Sequence, residues 1–166
     1  ILVDTSTSAT TINGLAGNDV LVSQAASGAD TLDGGDGNDL LIGGAGSDNL
    51  TGGLGADTFA WRLADKGTAG SAASTASDTI FGFDTVANSD RIDLRDLLVG
   101  ENHASGIGNL ANYIDITTSG GDTVIRVSST GGFTGGTYAA GAEDQRITLS
   151  GANLYSSYGI TAGDDA

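Results

Sequence analysis

Residues 34–60 read GGDGNDLLIGGAGSDNLTGGLGADTFA and repeat with a period of nine. Each unit opens with a glycine pair at Gly34–Gly35, Gly43–Gly44 or Gly52–Gly53. It places a third glycine at Gly37, Gly46 or Gly55, then an aspartate at Asp39, Asp48 or Asp57, and two positions on a large apolar residue at Leu41, Leu50 or Phe59. Toward the N-terminus the pattern decays but stays in register. AASGADTLD from Ala25 keeps Gly28, Asp30 and Leu32, and GLAGNDVLV from Gly14 keeps Gly17, Asp19 and Leu21, with Ser23 and Gln24 inserted between them. The motif is G-G-x-G-x-D-x-U-x, with U apolar, and nine residues is too short a period for any helical repeat.

The parts of the motif dictate its geometry. Glycines permit the positive φ of tight turns whose carbonyls point inward. The x-U-x triplet is one short strand, with U on one face and its neighbours on the other. Two units then make a coil of two strands and two turns. Stacked coils give two parallel sheets with strands about 4.8 Å apart, and the U residues fill the space between the sheets. A flexible Gly/Asp-rich linker would have the same composition, but it has no need of an apolar residue at position eight in all five copies. Units one and three turn Val20, Val22, Leu40 and Ile42 outward on one sheet, and units two and four turn Thr31, Asp33, Asn49 and Thr51 outward on the other. An exposed apolar sheet face is usually covered, so the C-terminal part of the chain is expected to pack on the first.

Composition narrows the functional classes. In 166 residues there are 19 Asp, 2 Glu, 5 Arg and 1 Lys, for a net charge of −15. This balance disfavours nucleic acid and anionic membrane partners and makes a compact state costly unless cations neutralise it. The chain has no Cys, hence no disulfide framework and no thiolate metal site. It has no long apolar run, so no membrane insertion is expected. The N-terminal ILVDTSTSATT lacks the basic-then-apolar order of a secretion leader. The sequence contains no Met and shows no apolar or helical segment after Ile160, so it reads as a piece of a longer chain or a processed product, one that stops before any export signal.

The repeat resembles the calcium-binding nonapeptides of RTX proteins, bacterial substrates of type I secretion. The resemblance implies an all-β fold: a parallel β-roll over 14–60, after a lead-in or cap at 1–13, continued by a β-rich flanking subdomain over 61–166 with one or two short helices. It also implies calcium, which takes 6–8 oxygens, shared between turns one coil apart. Carried over by position, one site uses the Leu15 and Gly17 carbonyls and Asp19 with the Gly34 and Asp36 carbonyls and Asp39. A second uses Ala26, Gly28 and Asp30 with Gly43, Ala45 and Asp48. A third uses Gly35, Gly37 and Asp39 with Gly52, Leu54 and Asp57. Half-sites remain at Gly44, Gly46 and Asp48 and at Gly53, Gly55 and Asp57, with Asp65 or Asp78 as candidate completing ligands. Three complete sites, and up to about five, are expected.

Past Phe59 the period stops. Phe59, Trp61 and Leu63 alternate, which predicts that the last roll strand runs on. KGTAGSAASTAS (66–77) predicts a loop, and DTIFGFDTVANSDRIDLRDLL predicts strand, turn, strand and short helix. The D-x-I-x-x-F … D-x-I-D-L spacing of Asp78, Ile80, Phe83, Asp90, Ile92, Asp93 and Leu94 resembles the segment that follows RTX repeats. ADTFAW, SDRIDLRDLLVGE and NLANYI together resemble the C-terminal region of large RTX adhesins of biofilm and cell attachment. Strands are expected at 112–117, 122–128 and 145–149, with a hairpin turn at Ser119–Asp122 and short helices at 94–100 and 107–111.

No catalytic constellation accompanies these features. His103 is the only histidine, has no metal-ligand motif around it, and reads as a loop residue. Asp90 and Asp93 fit either a calcium outside the roll or turn chemistry. Trp61 reads as core, with sugar stacking as the alternative. The expected function is a non-enzymatic, monomeric module of a larger extracellular or cell-surface adhesin. It is unfolded inside the cell, handed to the type I secretion machinery, and folded by calcium outside. The alternative is a calcium-dependent module that binds a sugar or peptide near Trp61, Tyr113 or Tyr138.

Overall fold

A computed structural model describes residues 1–24, 28–67, 75–86, 90–102 and 108–157; Ala26 and His103 lie outside them. Among the described residues twelve strands form two sheets. The first runs β1 (Leu2–Asp4), β3 (Val20–Ser23), β5 (Leu40–Ile42), β7 (Thr58–Ala60), β9 (Arg91–Asp93) in spatial order, all parallel. The second runs β10 (Ile114–Ser119), β11 (Asp122–Val127), β12 (Gln145–Ser150), β8 (Ala76–Phe81), β6 (Asn49–Leu54), β4 (Thr31–Asp36), β2 (Thr11–Asn13). Strands β2, β4, β6, β8 and β12 are mutually parallel, and β10–β11–β12 is an antiparallel meander. The fold is all-β, a parallel β-roll with a β-rich continuation, as the repeat predicts.

The register explains why the chain coils. Position-eight residues stand in line across each sheet: Leu2, Leu21, Leu41, Phe59 and Ile92 in one, and Ile12, Leu32, Leu50, Ile80 and Leu149 in the other. Leu21, Leu32, Leu41, Leu50, Phe59, Ile80 and Leu149 are fully buried and form one core with Trp61, Leu97 and Ile147. Full burial of such a side chain stabilises by about 1.5–3 kcal/mol. A repeat with little other apolar surface therefore depends on every copy contributing one. The inserted Ser23 and Gln24 leave the register intact: Val20, Leu21 and Val22 oppose Leu40, Leu41 and Ile42.

The coil extends on both sides of 14–60. Before it, β1 and β2 add a coil in which Thr10 and Ile12 take the places of the motif's aspartate and apolar residue. After it, β8 and β9 add another, with Asp78-x-Ile80 and Asp90-x-Ile92 at the same positions. The meander then extends the second sheet. The Ser119–Asp122 hairpin closes through Gly120 and Gly121 at φ 63° and 100°, the left-handed values a two-residue hairpin turn requires.

Two local expectations are corrected. The chain does not run on as a strand after Phe59: β7 stops at Ala60, Trp61 is buried, and Leu63 begins a short 3-10 turn with its side chain 40% exposed. Arg62 causes the departure, folding back to bond Asp65 and the Ser23 carbonyl. Residues 94–100 form turns rather than a helix, because each of Leu94 and Leu98 commits its side chain to the core from an irregular backbone; short helical turns occur instead at Leu110–Asn112 and Leu154–Ser157. The C-terminal part adds strands at the ends of the sheets; the first sheet turns Val20, Val22, Leu40 and Ile42 outward. Those four are half-buried and stand outside the core cluster.

Candidate metal centre

The turns stack in two rows, one along each edge of the roll. Row one contains turns 14–19, 34–39 and 52–57, followed by 82–86 and Asp90. Row two contains 5–10, 28–30 and 43–48, followed by the segment that leads into Asp78. Within each row the aspartates form a ladder. Asp39 Oδ1 accepts the Asp19 N–H at 2.7 Å, Asp57 Oδ1 the Asp39 N–H at 2.8 Å, and Asp90 Oδ1 the Asp57 N–H at 3.0 Å. In row two, Asp30 Oδ1 accepts the Thr10 N–H at 2.8 Å, Asp48 Oδ1 the Asp30 N–H at 2.9 Å, and Asp78 Oδ1 the Asp48 N–H at 2.8 Å. One carboxylate oxygen of each rung is thereby fixed, and in Asp39, Asp48 and Asp57 the other is left over.

The left-over oxygens test whether a cation fits. Oδ2 of Asp39, Asp48 and Asp57 is buried and has no hydrogen-bond partner. A buried, unpaired anionic oxygen is costly, so three at equivalent positions call for a common positive ligand. Backbone carbonyls surround them. A Cβ on Gly35 would collide with the Leu15 carbonyl, and one on Gly46 with that of Gly28. Both glycines have positive φ, 98° and 147°, so close carbonyl approach as well as backbone conformation requires glycine there. Leu15 adopts φ 76° without that freedom, and its carbonyl accepts the Asp36 N–H at 2.8 Å. Asp36 and Leu54 carbonyls likewise accept the Gly17 and Gly37 N–H groups, each at 2.7 Å. Each carbonyl has a second lone pair, so these bonds shape the cradle without closing it. Among the described residues no three Asp, Glu, His or Cys side chains gather; each candidate site has two carboxylates and relies on carbonyls for the rest. This hard-oxygen donor set suits calcium, not zinc or copper.

The electrostatics agree. Burial pushes the Asp48 carboxyl up to about 8, with the charges of Asp78, Asp30 and Asp65 adding to it. Burial also raises Asp57, followed by the charges of Asp90 and Asp39. Without a cation row two cannot hold all its charge at neutral pH.

The rows end in protein donors. Asp78, pushed up to about 6 by burial, accepts on Oδ2 the Trp61 Nε1–H at 2.6 Å and a Gln145 Nε2–H at 2.9 Å. Asp90 Oδ2 accepts the Asp84 N–H at 2.9 Å. Asp65 is paired with Arg62, and Asp93 with Arg95. Thr10, Asp78 and Asp90 thus extend the ladders beyond the motif. The D-x-I spacing of the last two repeats the D-x-U of every nonapeptide, and this is the sequence signal by which the extra coil is recognisable. The three aromatic candidates are turned inward: Trp61 on Asp78, Tyr113 buried with its hydroxyl on the Val99 carbonyl, and Tyr138 under Arg126 with its hydroxyl on Glu143.

Residues 5–27 and 24–59 match the family model of the RTX calcium-binding nonapeptide repeat (4 copies). No curated protein shows significant similarity to the chain. Among solved structures, the chain is similar to the AlgE6R3 subunit of the Azotobacter vinelandii mannuronan C5-epimerase, with 27% identity over 95% of this chain and 84% of that one and a TM-score of 0.59. It is similar also to the AlgE6R2 subunit of that epimerase, with 28% identity over 86% and 83% of the two chains and a TM-score of 0.53. The family match begins at Thr5, inside the glycine-poor coil that the ladder includes through Thr10. Residues 5–59 thus carry RTX calcium-binding nonapeptide repeats, and the roll they form is a calcium-binding β-roll module.

Proposed function

We propose that this module is a calcium-operated folding switch carried by an exported RTX adhesin, unfolded during type I export and folded once outside the cell. The observation that carries the reading is the set of three buried, unpartnered Oδ2 atoms on Asp39, Asp48 and Asp57. In the proposed sites these oxygens hold calcium together with the carbonyls of residues 15, 17, 34 and 36, of 28, 43 and 45, and of 35, 37, 52 and 54, with Asp19 and Asp30 completing the pairs. Calcium supplies the charge that lets the −15 chain close. The chain's own part is to fix each carboxylate through the ladder and to exclude water with the Leu and Phe rows.

The magnitudes are adequate. Extracellular calcium modules bind at about 10⁻⁴–10⁻³ M. A tenfold excess over Kd at one site stabilises the bound fold by about 1.4 kcal/mol, and three such sites by about 4 kcal/mol. That is comparable to the whole stability of a small domain. At low intracellular calcium the term vanishes, and a glycine-rich chain of like charges stays open. Limited proteolysis tests the reading: with millimolar calcium the chain from β1 to β12 should resist cleavage, and with chelator cleavage should spread through 14–60. Equal resistance in both would refute it.

A second reading, a calcium-dependent ligand-binding module, is favoured by one observation. A cleft of about 760 Å³ opens beside β9, lined by Thr58, Arg91, Ile92, Leu94, Arg95 and Leu98. The structurally similar subunits belong to an enzyme named for mannuronan. Binding of a uronic acid polymer in calcium, lost in Arg91→Ala, would establish it.

A further inference from the structure

The two rows of turns are built from the same motif, yet their carboxylates differ. In row one, Asp39 and Asp57 each have one donor on Oδ1 and none on Oδ2. In row two, Asp30 is satisfied on both oxygens. Oδ1 accepts the Thr10 N–H at 2.8 Å and the Thr10 hydroxyl at 3.3 Å, and Oδ2 accepts the Ser23 hydroxyl at 2.6 Å. Ser23 and Asp30 are both fully buried. Ser23 belongs to the two-residue insertion that separates the first two nonapeptides, so no other copy of the repeat has a hydroxyl at this point. At the far end of the same row, Asp78 Oδ2 is occupied by Trp61 and Gln145. Row two is therefore clamped by protein donors at both ends, with Asp48 Oδ2 its one buried, unpartnered carboxylate oxygen among the described residues.

We infer that the rows load calcium unequally: row one takes its cations first, and Ser23 weakens the row-two site by occupying the Asp30 oxygen that a cation there needs. This rests on the calcium reading above and specifies which residue sets the affinity. A donor on a carboxylate oxygen offsets part of the cost of burying its charge, so the row-two cage gains less from a cation than a cage with two bare oxygens. A cation entering beside Asp30 must also displace or share the Ser23 bond, a cost absent at Asp39 and Asp57. The consequence is a graded response: the Asp19–Asp39–Asp57 edge closes at lower calcium than the Asp30–Asp48 edge.

Isothermal titration calorimetry of the full chain with CaCl2 tests it. The wild type should show a tight phase and a weaker one. Asp39→Asn, which removes the carboxylate shared by both row-one sites, should abolish the tight phase, and Asp48→Asn should abolish only the weak phase. Ser23→Ala should strengthen the weak phase about tenfold, and Ser23→Thr, which keeps the hydroxyl, should leave it unchanged. If Ser23→Ala fails to fold, the Asp39→Asn and Asp48→Asn pair decides. A single phase of equal sites, loss of the tight phase in Asp48→Asn, or an unmoved weak phase in folded Ser23→Ala would overturn the inference while leaving the calcium switch standing. No calcium binding at all would overturn both.

Discussion

At Gly46 one hydrogen atom decides whether the coil can close. Its φ of 147° and the Gly28 carbonyl beside it leave no room for a Cβ. Gly17 has φ 116° but open space around its Cβ position. The left-handed region alone costs a non-glycine residue about 1–2 kcal/mol. Gly17→Ala should therefore lose about that much in calcium-saturated urea denaturation, and Gly46→Ala clearly more, because a ligand-row carbonyl must also move. Equal losses would mean that the carbonyl is not held in place. The aspartates carry a pH signature of the same origin. Asp48 and Asp78, at about 8 and about 6 in the metal-free fold, hold their protons more tightly than the unfolded chain does near the ordinary 3.8. Their stabilising contribution is full below about pH 4 and is lost as pH rises through about 6 and then 8. Metal-free protein should gain β-structure by circular dichroism when taken from pH 8 to pH 5. With calcium the sense reverses, since protons compete for the same oxygens and apparent calcium affinity should fall on acidification.

Among the elements, β8 shows what the sequence made legible and what it did not. The five position-eight residues, the strands that carry them and the sheet to which each unit goes all followed from a nine-residue period, because that period fixes alternation and turn spacing at once, although β4 and β6 run on as six-residue strands through the next glycine pair. The coils at either end were not legible as coils. They lack the glycines, and glycine had been the guide, whereas the structure retains D-x-I at Asp78–Ile80 and Asp90–Ile92 and T-x-I at Thr10–Ile12. The apolar position and the ladder rung define the coil; the glycines define the cation cradle. The break after β7 was hidden for a different reason: Phe59, Trp61 and Leu63 alternate like a strand, and only the tertiary bonds of Arg62 and Trp61 end it. At this junction Asp78 receives the Asp48 N–H, Trp61 Nε1 and Gln145 Nε2. Asp78→Asn removes the charge that holds three donors. It should cost about 1–3 kcal/mol and shift the emission of Trp61, the sole tryptophan, to the red. Unchanged emission and urea midpoint would show that the junction is not held through this carboxylate.

Over the whole molecule, a net charge of −15 and a core one residue deep leave the fold without a large reserve of stability. The leucine and phenylalanine rows supply apolar burial, the ladders orient the carboxylates, and the C-terminal meander extends the second sheet from β8 onward through β12. What remains uncompensated is the charge on Asp39, Asp48 and Asp57, and a divalent cation is the simplest group that neutralises it. The composition announced this balance before any coordinate did, although the meander's order, with β12 inserted between β8 and β11, had no local signal because it is set by which edge the roll leaves open. The most direct measurement is far-ultraviolet circular dichroism of the full chain at neutral pH, in excess chelator and then in millimolar calcium. The account predicts a disordered spectrum that converts reversibly to a β-sheet spectrum on calcium addition, without a comparable response to equal magnesium. An unchanged β-sheet spectrum in chelator would contradict it.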